Sequence, residues 1–173
     1  MPDMGDPLNR NSQSEPRRRI ESGSPGVDEY GPYYGKYVSL IESKDIVTTL
    51  EDQLESTAAL LRQIPEQRGN YRYAPDKWSL KELIGHVIDT ERIFAYRTLR
   101  IGRGDQTPLA GFDQDPYVAN ARFDSCTLAG LAAEFDLVRR SNLAMLKHFP
   151  DDVWNRRGTA SPKFPPLAAA NSR

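Results

Sequence analysis

The sequence predicts an all-α protein, a bundle built on three amphipathic helices. Three observations point there. Apolar residues recur every three or four positions across three separate stretches, 44–63, 80–101 and 128–149. All three stretches close on proline or glycine, and two of them open on a capping residue. No alternation of apolar and polar residues runs long enough to build a sheet, and no internal repeat is present. At 173 residues the chain has the size of one compact domain with a core of three or four medium helices.

Residues 1–27 are dominated by Pro, Gly, Ser, Asn, Gln and Arg, with too few large apolar side chains to offset the entropy of ordering them, so a disordered tail is expected. Arg17, Arg18 and Arg19, with Arg10, resemble a phosphate-binding arm, but Asp3, Asp6, Glu15 and Glu21 cancel their charge. Tyr30, Tyr33, Tyr34 and Tyr37 follow, and their amphipathic rings suit an extended lead-in lying across the outside of a bundle. In the first helix, over 44–63, the stripe is Ile46, Leu50, Leu54, Ala58, Leu61 and Ile64, and Pro65 ends it.

The second helix has the strongest start signal in the chain. Ser79 and Glu82 make a capping box, with Trp78 and Leu83 placed for a hydrophobic staple, so the helix begins at Leu80. Leu80, Leu83, Ile84, Val87, Phe94 and Ile101 share one face, and Gly102 and Gly104 supply the stop. Residues 103–126, rich in Pro, Gly and Asp, read as a long surface connection with one short helical turn capped by Asp115 ahead of Pro116. Thr127 caps the third helix, whose stripe is Leu128, Leu131, Phe135, Val138, Asn142, Met145 and Phe149, closed by Pro150. Beyond Trp154 the periodicity is lost, and Pro162, Pro165 and Pro166 block a long helix.

The net charge is −1, from 23 basic and 24 acidic residues, which favours neither a nucleic-acid backbone nor an anionic membrane as partner. The one cysteine, Cys126, cannot form an internal disulfide; it reads as a small filler at the start of the third helix, in keeping with a reducing compartment. The first 27 residues lack an apolar run of signal-peptide length, and no stretch approaches the roughly 20 apolar residues of a membrane helix. A soluble cytoplasmic protein is expected.

Few residues invite chemistry. His86 lies toward the edge of the apolar face of the second helix, beside Thr90 and Arg97. Spacing alone makes it a structural residue more readily than a ligand, because zinc-type sites need three or four convergent ligands. His148 falls off the third stripe and should face solvent, and no HxxxH pair, CxxC pair or His-Glu cluster completes a site with either histidine. Glu91 falls near the middle of the second stripe, between Val87 and Phe94, where an unpaired carboxylate is costly. An arginine such as Arg139 or Arg97 would satisfy it; a supporting or acid/base role at a site is the other reading. Ser79 and Ser141 read as a cap and a helix-surface residue rather than nucleophiles. The glycines 102 and 104 follow a helix rather than a strand and make no phosphate loop.

Two stretches carry a family resemblance: Tyr71 to Gly104, YRYAPDKWSLKELIGHVIDTERIFAYRTLRIGRG, and Thr107 to Tyr117, TPLAGFDQDPY. They resemble the DinB-like superfamily of metal-binding helical bundles. The most specific segment is KWSLKELIGHVIDTE, where a tryptophan precedes a capping serine and a histidine follows seven residues later. The similarity runs from about Tyr30 to Ala160. The resemblance implies an up-and-down bundle of four helices holding a divalent metal, zinc or nickel, through three histidines. One matches His86, and the other two form an HxxxH pair on the fourth helix. It also implies a class of activity, since relatives include thiol-dependent S-transferases and metal-dependent hydrolases.

In relatives the stretch resembling WNRRGTAS leads into the fourth helix, whereas here it runs into SPKFPPLAAANSR with neither C-terminal ligand. His148 matches no ligand position of the family. The expectation is therefore a DinB-like bundle lacking its last helix, interrupted by a frameshift, an assembly error or a truncated gene. It would have a disordered tail over 1–28, an incomplete helical domain over 29–160 and an irregular tail over 161–173. Two functions are in view. The first is an ancestrally metal-dependent transferase or hydrolase, inactive as given, with His86 as its one metal ligand, no identified catalytic residue and little metal affinity. The second is a small interaction module that binds a second copy or another protein through the surface the missing helix leaves open. No nucleic-acid or membrane partner is expected.

Overall fold

The computed structural model describes residues 23–41 and 45–160, together with the backbone of 167 and 168. The expectations of a disordered N-terminal tail and an irregular C-terminal tail fall mostly outside the described residues. The protein is all-α. Its helices are α1 (Gly35–Val38), α2 (Ile46–Arg62), α3 (Leu80–Gly102), α4 (Gln114–Ala121) and α5 (Leu128–Lys147). Beyond them β1 (Arg157–Gly158) pairs antiparallel with β2 (Leu167–Ala168).

Local chemistry accounts for where these helices start. Asp45 opens α2, accepting from the Thr48 amide at 3.0 Å and the Thr48 hydroxyl at 2.8 Å. The capping box of α3 closes as expected: the Glu82 amide donates to Ser79 Oγ at 3.2 Å and the Ser79 amide to the Glu82 carboxylate at 2.6 Å. Thr127 caps α5 by accepting from the Gly130 amide at 3.0 Å. Two expectations are corrected. The tyrosine-rich lead-in is not extended: Pro32 presets a helical φ, and a 3-10 turn over Pro32–Tyr34 runs directly into α1. The single turn expected at Asp115 is eight residues long, and its cap is Asp113, which accepts from the Asp115 amide at 3.2 Å and leaves Asp115 inside the first turn.

α5 is the central element. It packs on α2 along one side and on α3 along the other, whereas α2 and α3 scarcely touch each other. Val47 and Leu54 of α2, Ile84 and Ile88 of α3, and Leu131 and Phe135 of α5 share one core. Each such fully buried side chain contributes about 1.5–3 kcal/mol. The directions follow from the contacts at each end. Glu51 of α2 pairs with Lys147, and Glu66 just past α2 accepts from the Leu128 amide, so α2 runs antiparallel to α5. Gly85 lies against Phe123 while Gly102 lies against Phe149, so α3 runs parallel to α5. The 103–127 connection, with α4 in it, carries the chain back between them.

The apolar stripes are turned relative to the sequence pattern. On α5 the buried positions after Arg139 are Leu143 and Leu146, not Asn142 and Met145. On α3 the face against α5 is centred on Ile84 and Ile88, and Leu83, Val87 and Phe94 remain 48, 38 and 46% exposed. α3 packs on α5 along its length and on α4 and the 123–125 turn besides, and the apolar residues 83, 87 and 94 form a second face that these neighbours leave exposed. Only its far end is roofed, where Ile101 is buried with Leu109 and Ala160, which form a parallel bridge. Gly158 passes so close that a Cβ there would lie 2.6 Å from Ile101 Cγ1. Arg157 reaches back to the buried Glu29 at 2.6 Å, joining positions 128 residues apart.

α3 ends at Gly104, whose φ of +80° suits a residue without Cβ. The Asp105 carboxylate then accepts from the Arg100 guanidinium and from the Thr107 amide at 2.8 Å. The Arg100 hydrogen bond, followed by the Thr107 amide, holds the Asp105 carboxyl down at about 2. A depressed folded-state pKa gives stability that is present above the unfolded value and lost as pH falls through the folded one. Urea midpoints taken from about pH 4 to about pH 2 should therefore fall less steeply in Asp105→Asn than in the parent. Identical acid dependence in the two proteins would exclude this contribution.

Candidate functional site

His86 sits near the start of α3, on its second apolar face with Leu83, Val87, Thr90 and Phe94. The Ser79 cap fixes the direction in which the chain enters the helix, and that lays the preceding Trp78 over the first turns. Its ring packs on the imidazole of His86, centroids 4.8 Å apart and planes at 48°. The expected staple partner of Trp78, Leu83, stays largely open to solvent. One turn beyond His86, the Thr90 hydroxyl is buried with no hydrogen-bond partner among the described residues. Burial raises the pKa of Asp89 on the adjacent side, and Arg92 partly offsets it.

Glu91 is satisfied by α5. Arg139 donates through Nη2 to Oε1 at 2.7 Å and through Nε to Oε2 at 3.0 Å, a bidentate fork. Asn142 Nδ2 adds a third bond to Oε2 at 3.0 Å, and the remaining Arg139 Nη1 donates to the Leu50 carbonyl of α2 at 3.2 Å. The cluster thus ties all three long helices together. Of the two arginines considered for Glu91, Arg139 is the partner; Arg97 is buried and donates to the Ala110 carbonyl at 2.8 Å. Asn142 escaped the sequence reading. Its signal was present, an amide inside an otherwise apolar stripe, and an amide there needs a partner.

The second histidine, His148, is the exposed C-cap of α5. Phe149 beside it lies against Gly102, at the end of α3 opposite His86, so the two imidazoles do not converge. Among the described residues no group of three His, Cys, Asp or Glu side chains comes together. A catalytic zinc site takes three protein ligands and a structural one four. The described residues therefore do not fit a metal centre: His86 offers one nitrogen, on a ring already packed against an indole. Cys126 is half-buried against the core just ahead of the α5 cap, as a filler would be.

The family model of the DinB superfamily matches residues 49–171. The chain belongs to the DinB superfamily. The matched stretch holds α3, α4 and α5 and most of α2, so the DinB bundle comprises the whole three-helix core described above. Among solved structures, YfiT from Bacillus subtilis is similar with a TM-score of 0.60 and 16% identity, covering 75% of this chain and 77% of YfiT. That protein is described as "a probable metal-dependent hydrolase with an unusual four-helix bundle topology". At this identity the likeness speaks for the fold alone. No curated protein matches the chain. Among the described residues no helix is long and apolar enough to cross a membrane.

Proposed function

We propose that this DinB-superfamily chain comes from a metal-dependent transferase or hydrolase lineage, keeps one of three metal-ligand histidines, His86, and is inactive in that chemistry as given. The observation that carries the reading is the number and placement of its imidazoles. His86 and His148 are the only two in 173 residues, and they lie at opposite ends of α3. A lone neutral imidazole binds zinc or nickel weakly, because affinity comes from several ligands arranged at once. No catalytic residue is assigned, and Glu91, engaged on both oxygens, is a structural anchor rather than a free base. Calorimetric titration with zinc and with nickel should show no saturable micromolar or tighter binding, and His86→Ala should behave like the parent. One submicromolar ion per chain, lost in His86→Ala, would overturn the proposal.

A second reading rests on the open face of α3. Leu83, Val87 and Phe94 share one face of α3 and stay exposed, while α2 and α3 scarcely touch each other. In this reading the protein is an interaction module whose partner is a second copy of itself.

A further inference from the structure

We propose that a cleft at the start of α3, bordering the His86 face at Leu83 and Trp78, binds a small planar aromatic molecule carrying a carboxylate. The cleft has a volume of about 850 Å³, within the size range of small-molecule sites. It lies between the end of α2, the 66–78 link, and the first residues of α3 and α4. Three rings from that short link, Tyr71, Tyr73 and Trp78, line it, with Leu60 and Leu83 from the flanking helices. Tyr71, Tyr73, Leu60 and Leu83 all stay exposed although they are large and apolar or aromatic. Rings so placed favour a flat partner that can stack at centroid distances of about 4.5–7 Å.

The cleft is held in shape from both sides, so its open rings are not the accident of a loose loop. The Leu80 amide donates to the Tyr71 carbonyl at 3.1 Å and the Lys81 amide to the Gly69 carbonyl at 3.0 Å. Arg72 spans the link, donating to the Lys77 carbonyl at 2.6 Å and to Glu82 at 3.0 Å. Lys81 pairs with Glu66 at 2.8 Å. A preformed site of this kind loses little ordering entropy on binding.

Charge selects the substituent. Two cations, Arg68 and Lys77, and two anions, Asp76 and Asp115, line the cleft. Asp115 lies in the first turn of α4, where the positive end of the helix compensates it. Neither cation has a carboxylate partner among the described residues, and Arg68 is the one that stands over a ring of the cleft. The Arg68 guanidinium carbon stands 4.3 Å from the Tyr71 ring centroid, a cation-π contact that leaves its N–H groups available to a carboxylate. A guanidinium can offer a carboxylate two parallel N–H bonds.

The test is calorimetry of the full chain with 2-naphthoate, and with 2-naphthalenemethanol as its uncharged counterpart. The expected result is saturable one-to-one binding of 2-naphthoate, weakened at least about tenfold both in the alcohol and in the surface variant Arg68→Gln, the loss of one charge-assisted hydrogen bond. Leu83→Arg, checked for native circular dichroism, should abolish binding. Absence of saturable binding, equal affinity for the alcohol, or indifference to Arg68→Gln would each overturn the proposal. None of these outcomes bears on metal affinity, so this inference and the metal reading stand or fall separately.

Discussion

Glu91→Ala is expected to lower the unfolding free energy by about 3–5 kcal/mol, because it removes the carboxylate that pairs with the buried Arg139 guanidinium. Arg139 is 7% exposed at its side chain and Glu91 19%, so water reaches the pair only from the Glu91 side and screening is limited. That places the effect toward the lower end of the range while keeping it well above the 0–1 kcal/mol or so of a surface pair. Alanine strands Arg139 Nε and Nη2 and leaves Asn142 Nδ2 with its longer bond to the Glu91 carbonyl, at 3.4 Å. Glu91→Gln keeps the shape and part of the bonding, and should cost about 1–3 kcal/mol as a charged hydrogen bond becomes neutral. A double replacement, Glu91→Leu with Arg139→Met, should recover much of the loss, since a buried ion pair exchanged for packed apolar groups is often neutral. Urea unfolding of the four proteins measures this. A Glu91→Ala cost below about 1 kcal/mol would mean that the cluster is a solvated pair.

The second large effect concerns association. Leu83, Val87 and Phe94 each keep about half their surface in water, and in a two-fold dimer through α3 each would be covered in both copies. Half-burying such a side chain is worth about 1 kcal/mol, so six of them reach roughly 6 kcal/mol, against an association cost of at least about 4 kcal/mol. The balance is a weak, concentration-dependent dimer rather than an obligate one. Sedimentation should show the weight-average mass rising with concentration, with accompanying binding of a hydrophobic dye. Val87→Lys with Phe94→Lys should hold the chain monomeric and remove the dye signal. A parent that is monomeric and dye-silent across the range would show that this face needs no cover, and the interaction-module reading would go with it.

The existence and limits of the three long helices were legible because caps and breakers are local, whereas α1 and the length and cap of α4 were not. Ser79, Glu82, Thr127 and Pro65 act within one turn, and the structure uses each where the sequence placed it. The direction in which each helix faces was less legible. Leu83, Val87 and Phe94 lie within one apolar arc with Ile84, and only the position of α5 divides that arc into a buried and an open half. The Glu91–Arg139 bond was foreseeable from the cost of a bare carboxylate on an apolar face, but choosing between Arg139 and Arg97 required knowing that α5 runs beside α3. The aromatic cleft left no periodic trace. It is assembled from a link whose rings are brought together by bonds outside any helical period, backbone ones from Leu80 to Tyr71 and from Lys81 to Gly69 and a side-chain one from Arg72 to Glu82.

The central place of α5 has a consequence for synthesis on the ribosome. α2 and α3 emerge first, and they scarcely touch each other, so neither can bury its stripe until the chain has grown through Lys147. From the end of α3 to the end of α5 is 45 residues, the difference between 147 and 102, which takes about 2–9 s at 5–20 residues per second. For that interval both helices lack the α5 face against which their cores pack, and nascent amphipathic segments of this kind are what holdase chaperones bind. The parallel run of α3 and α5 makes the wait unavoidable, because a short hairpin between them is impossible and the 103–127 connection must be made first. A chain stopped before Thr127 should show no cooperative melting by circular dichroism, and a sharp transition there would mean that α2 and α3 find a core without α5.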